Sequence, residues 1–197
     1  KFAIEKKVPI TSLKKLYKLD NLYLFSLEYE EILKTKNFNS KNLFNFHFSI
    51  LPKYRGCHTN FYQIFMGEKK SGVTLHEIDD GIDTGKIIDK LSFPIHLNTT
   101  AYENYIKLLK KSFVLFKKNI NKILINKYNV KKQNLKKGSY FSRKSVNYKK
   151  MILFKKINND IDTHNKIRAL IFPPFQLPVI NGKKIKKSIF NNNKIKL

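Results

Sequence analysis

Short apolar runs near the start of the chain give the clearest structural signals. Residues 22–27 are continuously apolar apart from one serine and predict a buried strand, and residues 43–49 predict a second one. Between them, residues 28–36 predict a helix with an apolar stripe made of Tyr29, Ile32 and Leu33. A strand, a helix and a second strand within about 30 residues form a βαβ unit, which implies a parallel strand pair and an α/β fold.

The later pattern adds strands, helices and a hairpin. Residues 72–78 and 86–95 predict two more strands on either side of a tight turn rich in Asp and Gly. Helices are predicted at 60–67, 99–126 and 161–170, and the longest of them is amphipathic with lysines on its polar face. The dipeptide Asn181-Gly182 is typical of a type I′ turn and predicts a final hairpin.

A lysine-rich stretch divides the chain. We expect a main α/β domain over residues 1–129, a linker over 130–137 and a small C-terminal α+β region with the hairpin over 138–197. In a parallel α/β sheet, ligands bind beyond the carboxyl ends of the strands. Functional side chains are therefore expected near the end of the strand at 43–49.

The large positive net charge suggests a polyanionic partner, but the kind of basic residue argues against one. The formal net charge is +26, yet only three of the 40 basic residues are arginines, Arg55, Arg143 and Arg168. Proteins that read nucleic acids usually rely on the bidentate fork of arginine. Lysine, asparagine and isoleucine are abundant throughout, which indicates compositional bias, so a nucleic-acid partner is not expected. A basic RNA-associated binding module remains the alternative from another class.

Other features concern location. No apolar run approaches the ~20 residues of a membrane-spanning helix, so no membrane association is expected. The single Cys57 rules out an internal disulfide and is typical of a reducing, cytoplasmic setting. The oligomeric state is open, with a homodimer as one arrangement.

Candidate chemistry is concentrated at the second strand and the acidic turn. Asn45 and His47 are two residues apart and would project to the same face of a strand. A carboxylate from the turn over 79–85 would complete a group able to donate hydrogen bonds and transfer protons. The turn lacks the spacing of a calcium loop, and the scattered His and Cys residues give no zinc pattern, so no metal is expected.

Three motifs over residues 43–92 resemble the formyltransferase family, which uses 10-formyltetrahydrofolate. They are NFHFSILPKYRG from Asn45, GVTLH ending at His76, and DGIDTG from Asp80, with Asp83 placed 38 positions after Asn45. Phe48 departs from the small residue that usually follows the histidine. The resemblance implies a Rossmann-like formyltransferase domain with a largely parallel sheet flanked by helices, and it makes residues 1–129 the catalytic domain.

The resemblance also implies roles for residues. Asn45 would donate to the developing oxyanion, His47 would move a proton or stabilise the oxyanion, and Asp83 would tune His47 and relay the proton. The formyl donor, 10-formyltetrahydrofolate, would lie against a group of five residues: Tyr29, Ile32, Ile78, Asp79 and Asp80. No metal takes part in the family's reaction.

The C-terminal part resembles the sugar N-formyltransferases within that family, through residues 138–144 and 167–176. The implied acceptor is the amine of a dTDP- or UDP-linked amino sugar, used for surface polysaccharide. Its expected contacts are Tyr54, Arg55, Arg168 and Phe172. Arg168 or Arg143 would pair with the pyrophosphate, and Phe172 would stack on a base or sugar, or else anchor the tail to the main domain.

Methionyl-tRNA formyltransferase is the alternative within the family. It would require a full accessory barrel, and 60 residues follow Lys137. The family fold has further strands before the one at 22–27, and the chain begins with Lys rather than Met. We therefore expect that the catalytic domain lacks its first strands, through a fragment or a truncated product.

Overall fold

A central four-stranded sheet carries the residues of interest. The computed structural model describes residues 2–197. The strands lie in the order β1 (Tyr23–Leu27), β2 (Asn42–His47), β4 (Lys70–Glu77) and β5 (Ile87–Pro94). Strands β1 and β2 are parallel, as predicted, whereas β2–β4 and β4–β5 are antiparallel.

The α/β class is confirmed, but the sheet is mixed rather than largely parallel. The segment 78–86 that joins β4 to β5 has nine residues, too few for the dozen or so that a parallel crossover requires. The two strands therefore form a hairpin. The predicted strands at 22–27, 43–49, 72–78 and 86–95 all exist, within a residue or two at each end.

Several short strands and the helices complete the fold. The remaining strands are β3 (Arg55–Gly56), β6 (Tyr140–Phe141), β7 (Leu153–Phe154), β8 (Val179–Ile180), β9 (Lys183–Lys184), β10 (Ile189–Asn191) and β11 (Lys194–Lys196). The helices are α1 (Phe2–Glu5), α2 (Leu13–Leu16), α3 (Thr59–Phe65), α4 (Ala101–Leu124), α5 (Tyr148–Met151) and α6 (Ile161–Leu170).

The prediction of a helix over residues 28–36 is wrong. Residues 28–34 have no helical structure, and a single 3₁₀ turn occupies Thr35–Asn37. The apolar spacing suggested one buried face, but Leu33 is 8% exposed while Tyr29 and Ile32 are 47% and 68% exposed. Because the three side chains do not pack together against the core, no tertiary packing stabilises a helix in this segment. The crossover between β1 and β2 is instead an irregular segment.

Helix α4 covers one face of the sheet. Phe44 and Phe46 of β2, and Phe48 just after it, extend into a core that includes Leu108 and Leu115 of the helix. The helix begins with a capping box: Thr100 accepts from the backbone of Glu103 at 3.2 Å, and the Glu103 carboxylate accepts from the backbone of Thr100 at 2.8 Å. Since successive residues alternate across a strand, Asn45 and His47 are left on the opposite face of the sheet.

The C-terminal region packs into the same molecule rather than standing apart. Ala169 and Leu170 of α6 share a core cluster with Phe61 and Ile64 of α3. The predicted helix over 161–170 is confirmed, and so is the turn at Asn181-Gly182, where φ is +50° and +76°. This turn joins β8 to β9, whereas the final hairpin of the chain is formed by β10 and β11.

The predicted linker over 130–137 is also tied down, because Lys131 and Ile87 exchange two backbone hydrogen bonds of 2.8 Å. The division of the chain at this segment stays a prediction. Among residues 2–197, no helix is long and apolar enough to cross a membrane.

Candidate active site

The three residues predicted to be catalytic lie together on the open face of the sheet. Asn45 and His47 extend from β2, and Asp83 comes from the turn between β4 and β5. Asn45 Nδ2 donates to Asp83 Oδ1 at 3.3 Å, and His47 Nδ1 lies 3.4 Å from Asp83 Oδ2. The carboxylate therefore connects the amide with the imidazole.

The acidic turn is built to present Asp83. The Asp79 carboxylate accepts from the backbone of Gly81 at 3.2 Å and from the Thr84 hydroxyl at 2.7 Å, which closes the turn on itself. Asp83 has a left-handed backbone with φ of +53°. A side chain at Gly85 would overlap the backbone carbonyl of Glu77, so this position requires glycine.

Hydrogen bonding fixes the orientation and the tautomer of His47. Its Nε2 lies 2.7 Å from the Tyr54 carbonyl oxygen, which only accepts, so Nε2 carries the proton. In the neutral ring, Nδ1 is then the basic nitrogen, and it faces Asp83. Burial lowers the pKa of His47, while the nearby Asp83 charge and the Tyr54 carbonyl partly oppose this effect.

Asp83 is held as an anion. Burial alone would raise its pKa, but His47, a hydrogen bond with His76 and the Gly56 backbone N–H outweigh burial and lower the pKa from 3.8 to about 2. The Gly56 N–H donates to Asp83 Oδ2 at 2.8 Å. A charge that is paired and hydrogen-bonded on both oxygens tolerates such a half-enclosed position.

His76 is a fourth member of the group, and the motif contained it without a role. Strand pairing sets Asn45 opposite His76, whose Nε2 lies 3.2 Å from Asn45 Nδ2 and 3.5 Å from Asp83 Oδ1. Its Nδ1 lies 2.7 Å from the Glu77 carbonyl oxygen, which only accepts, so Nδ1 carries a proton and Nε2 faces both the Asn45 amide and the Asp83 carboxylate. The alternating pattern of residues 72–78 predicts a strand that contains His76. The contact of His76 with Asn45 depends on the register between β2 and β4, which the pattern does not show.

A cleft of about 350 Å³ opens onto this group. Four of the five residues expected to contact the formyl donor line it: Tyr29, Ile32, Ile78 and Asp79. The fifth, Asp80, is exposed, is not among the lining residues, and accepts a hydrogen bond of 2.5 Å from the Thr35 hydroxyl. The C-terminal region contributes Tyr140 and Arg143.

The residues expected to contact the acceptor are not brought together. Within residues 2–197, none of Tyr54, Arg55, Arg168 and Phe172 is among those lining the cleft. The Tyr54 hydroxyl donates to Glu68 at 2.8 Å, and Phe172 packs edge-on against Tyr102 and Tyr105. Arg55 lies in β3, where its backbone pairs with β6, and its buried Nε has no hydrogen-bond partner in the described chain.

Arg168 is a structural residue in this arrangement. It is 2% exposed, and burial lowers its pKa to about 10. Its Nε donates to Asn165 Oδ1 at 2.9 Å, and one terminal nitrogen donates to the Thr99 carbonyl at 2.7 Å. The guanidinium therefore links α6 to the start of α4 and is not among the groups that line the cleft. A pyrophosphate contact of Arg168 stays a prediction.

Arg143, unlike Arg168, lies at the cleft. Among the cleft-lining residues in the described part of the chain, it is the one with a permanent positive charge, and its Nη2 donates to the Glu30 carbonyl at 2.7 Å. Within residues 2–197, no group of three or more His, Cys, Asp or Glu side chains is arranged to hold a metal ion.

A mixed α/β sheet with Asn, His and Asp assembled at one end is the architecture of a Rossmann-like formyltransferase domain, and comparison with known proteins agrees. A sequence model of the family described as Formyl transferase matches residues 28–119. A solved sugar 3N-formyltransferase, WlaRD, crystallised with dTDP and 5-N-formyl-THF, is 47% identical with a TM-score of 0.89, over 97% of this chain and 69% of that one. The chain belongs to the formyltransferase family.

Other relatives extend the comparison. An N-formyltransferase from Helicobacter canadensis, solved with folinic acid and dTDP-3-aminofucose, is 46% identical with a TM-score of 0.88, over 95% of this chain and 69% of that one. The bifunctional polymyxin resistance protein ArnA of Wigglesworthia glossinidia brevipalpis is 36% identical over 80% of this chain, and the methionyl-tRNA formyltransferase of Clostridium tetani is 38% identical over 54%. The chain spans 24% and 35% of the lengths of these last two relatives.

Proposed function

We propose that the protein transfers the formyl group of 10-formyltetrahydrofolate to the amine of a nucleotide-linked amino sugar, with dTDP-linked 3-amino sugars as the acceptor class. The observation that carries the proposal is that Asn45 and His47 both lie beside the Asp83 carboxylate, and that all three residues line the cleft. Similarity over nearly the whole chain to two enzymes solved with dTDP or a dTDP-sugar supports the acceptor class.

The cleft suits the donor chemically. Tyr29 and Ile32 expose apolar surface at its rim, and Leu33 and Ile78 extend this surface inward. Backbone around Asp79 offers polar groups beside that surface. A flat pterin ring with an edge of hydrogen-bonding groups matches a site that is apolar on its faces and polar at its edge. When bound, the donor supplies the formyl carbon and its oxygen.

The residues of the floor support a direct transfer. The acceptor amine attacks the formyl carbon, a new C–N bond forms, and the C–N bond to the donor nitrogen breaks. Asn45 Nδ2 keeps one hydrogen on Asp83 and turns the other, which points toward His76 Nε2 at 3.2 Å, to the formyl oxygen as that oxygen gains negative charge. The amine proton passes to His47 Nδ1, the basic nitrogen of the neutral ring, and the adjacent Asp83 stabilises the imidazolium. That proton is finally delivered to the donor nitrogen as it leaves.

Arg143 supports the choice of a nucleotide-linked acceptor. A pyrophosphate carries its charge on oxygens that a guanidinium binds with paired hydrogen bonds. Arg143 lines the cleft and Arg168 does not. We therefore assign the pyrophosphate contact to Arg143.

The proposal is tested by incubating the full chain with 10-formyltetrahydrofolate and a panel of acceptors. The panel contains dTDP-3-amino, dTDP-4-amino and UDP-amino sugars together with methionyl-tRNA, and mass spectrometry detects the added formyl group. We expect formylation of a dTDP-3-amino sugar and a loss on the order of 10²–10³ in kcat for Asn45→Ala, since one preorganised donor is worth that much.

Two outcomes would contradict the proposal. Formylation of methionyl-tRNA without formylation of any sugar would favour the alternative within the family. Full activity of His47→Ala would refute the assigned chemistry. Arg143→Leu separates the acceptor assignment, because it should raise KM for the nucleotide sugar and leave KM for the donor nearly unchanged.

A further inference from the structure

Gln133 contacts the backbone that carries the catalytic carboxylate. It lies in the lysine-rich segment between α4 and the C-terminal region, far from Asp83 along the chain. Its Nε2 donates to the Asp83 carbonyl at 2.9 Å and to the Gly85 carbonyl at 2.7 Å. Both amide hydrogens are thus used on the two residues that flank Thr84, at the tip of the turn.

The turn needs an external support of this kind. Asp83 is not glycine, yet its φ is +53°, and such a conformation costs about 1–2 kcal/mol for an L-residue. Residues held in it persist where the surroundings specify them. The Asp79 side chain closes the first part of the turn, through Gly81 and Thr84, but it does not reach the carbonyls of residues 83 and 85. Gln133 supplies those contacts.

The segment that carries Gln133 is itself fixed. Lys131, two residues earlier, exchanges backbone hydrogen bonds of 2.8 Å with Ile87, the first residue of β5. Gln133 is therefore anchored on the strand that leaves the turn, and it holds the turn from the side. This arrangement makes the glutamine a brace between the sheet and the Asp83 backbone.

The orientation of the amide is fixed by its neighbours. Two carbonyl oxygens require a donor, so Nε2 faces them. Gln133 Oε1 is buried without a hydrogen-bond partner in the described chain. A glutamate at this position would place carboxylate oxygens against both carbonyls, whereas a methionine would fill the same space and remove both donors.

We propose that Gln133 is a positioning residue that sets the direction of the Asp83 carboxylate toward His47 and Asn45. For its effect on turnover, the inference rests on the proposed function. For its effect on the geometry of the site, it rests on the contacts alone. Gln133 acts through the backbone of residues 83 and 85 and need not touch either substrate.

The test compares Gln133→Met with the matched control Asn119→Leu. Asn119 is also a side-chain amide with two acceptors, since its Nδ2 donates to Asp89 at 3.0 Å and to the Leu115 carbonyl at 2.9 Å, but it lies on α4, remote from the cleft. Both variants lose a bracing amide and some stability. Kinetics and an NMR titration of the His47 ring distinguish a brace of the site from a brace of the fold.

We expect Gln133→Met to lower kcat on the order of 10²-fold, with KM changed only a few-fold, since displacing a catalytic group by about 1 Å has such an effect. The groups facing His47 are the Asp83 carboxylate, the His76 ring and the Tyr54 carbonyl. Asp83 raises the pKa of His47 against burial. Its displacement should therefore move the titration of His47 to lower pH, while Asn119→Leu leaves the titration and kcat unchanged.

Wild-type kcat and an unshifted His47 titration in Gln133→Met would overturn the proposal, and so would equal effects in the two variants. If Gln133→Met does not fold, Gln133→Asn gives the same comparison, because it keeps the donors and shortens their reach. The titration needs no substrate. A shifted His47 in a protein that formylates no acceptor would therefore uphold the positioning role while the proposed function fails.

Discussion

Replacing Asp83 with Asn removes the charge at the centre of the site while nearly preserving its shape. The wild-type carboxylate accepts from the Gly56 N–H at 2.8 Å and from Asn45 at 3.3 Å, and it faces His47 and His76. An amide can still accept from Gly56 through its oxygen. Its nitrogen would then meet the donor of Asn45, so one contact becomes repulsive. The variant should fold and should change the dependence of stability on pH.

The size of the change follows from the pKa of Asp83. Folding lowers that pKa from 3.8 to about 2, and one pKa unit corresponds to about 1.4 kcal/mol, so ionised Asp83 contributes about 2 kcal/mol to the free energy of unfolding. Since the folded value is depressed, this contribution is present above pH 3.8 and is lost as the pH falls toward 2. Asp83→Asn lacks a titrating carboxyl group, so its stability should fall less steeply in that acidic range.

At higher pH the substitution has the opposite effect on the difference in stability between variant and wild type. The pKa of His47 is also lowered on folding, so acidification below 6.5 protonates the unfolded chain first and destabilises the fold. Asp83 normally opposes that shift. Without the charge, the pKa of His47 falls further, so the variant should go on losing stability over a wider range of pH below 6.5 than the wild type does.

Urea denaturation across a pH series measures both effects. The free energy of unfolding of Asp83→Asn, plotted against pH, should go on falling over a wider range below pH 6.5 than that of the wild type and should be flatter, by about 2 kcal/mol in total, below 3.8. Parallel curves for the two proteins would refute the coupling between Asp83 and His47. His47→Gln is the matched control, because it should remove the upper effect.

Two further changes test the fold around the site. Arg168→Met leaves the Thr99 carbonyl without its donor, so it should lower the free energy of unfolding by about 1–3 kcal/mol and leave both KM values unchanged; a raised KM for the nucleotide sugar at unchanged stability would instead support Arg168 as a substrate contact. Gly85→Ala would press a methyl group on the Glu77 carbonyl and should destabilise by about 1–3 kcal/mol in thermal unfolding. A melting temperature equal to that of the wild type would contradict this account.

Local patterns predicted the parts of the fold that depend on neighbours along the chain. The strands, α4 and the turn at Asn181-Gly182 each follow from short-range periodicity or turn chemistry. The segment over 28–36 shows where that reasoning stops. Its spacing suits a helix, but no core lies beside it to bury Tyr29 and Ile32, so the backbone takes another course.

Local patterns likewise predicted some residues of the site and missed others. Asn45 and His47 share a strand face by simple alternation, and a recognisable motif placed Asp83 beside them. His76 and Gln133 depend on strand register and on a contact that crosses most of the domain, neither of which is visible in local spacing. Arg168 had the right charge, but only the packing of α6 against the start of α4 reveals that its Nε and one terminal nitrogen already donate to Asn165 and Thr99.

The pairing of β3 with β6 has a consequence for how the protein folds. Tyr54 and Ser139, at the start of this pairing, are 85 positions apart, and the neighbouring Gly56 supplies the N–H that donates to the Asp83 carboxylate. Contacts between distant positions carry a larger loop-closure cost and slow folding relative to local ones. The β4–β5 hairpin can close early, whereas the Gly56–Asp83 contact must wait for residues near 141. We therefore expect catalytic competence to be acquired late, during both refolding and synthesis on the ribosome, after most of the sheet has formed.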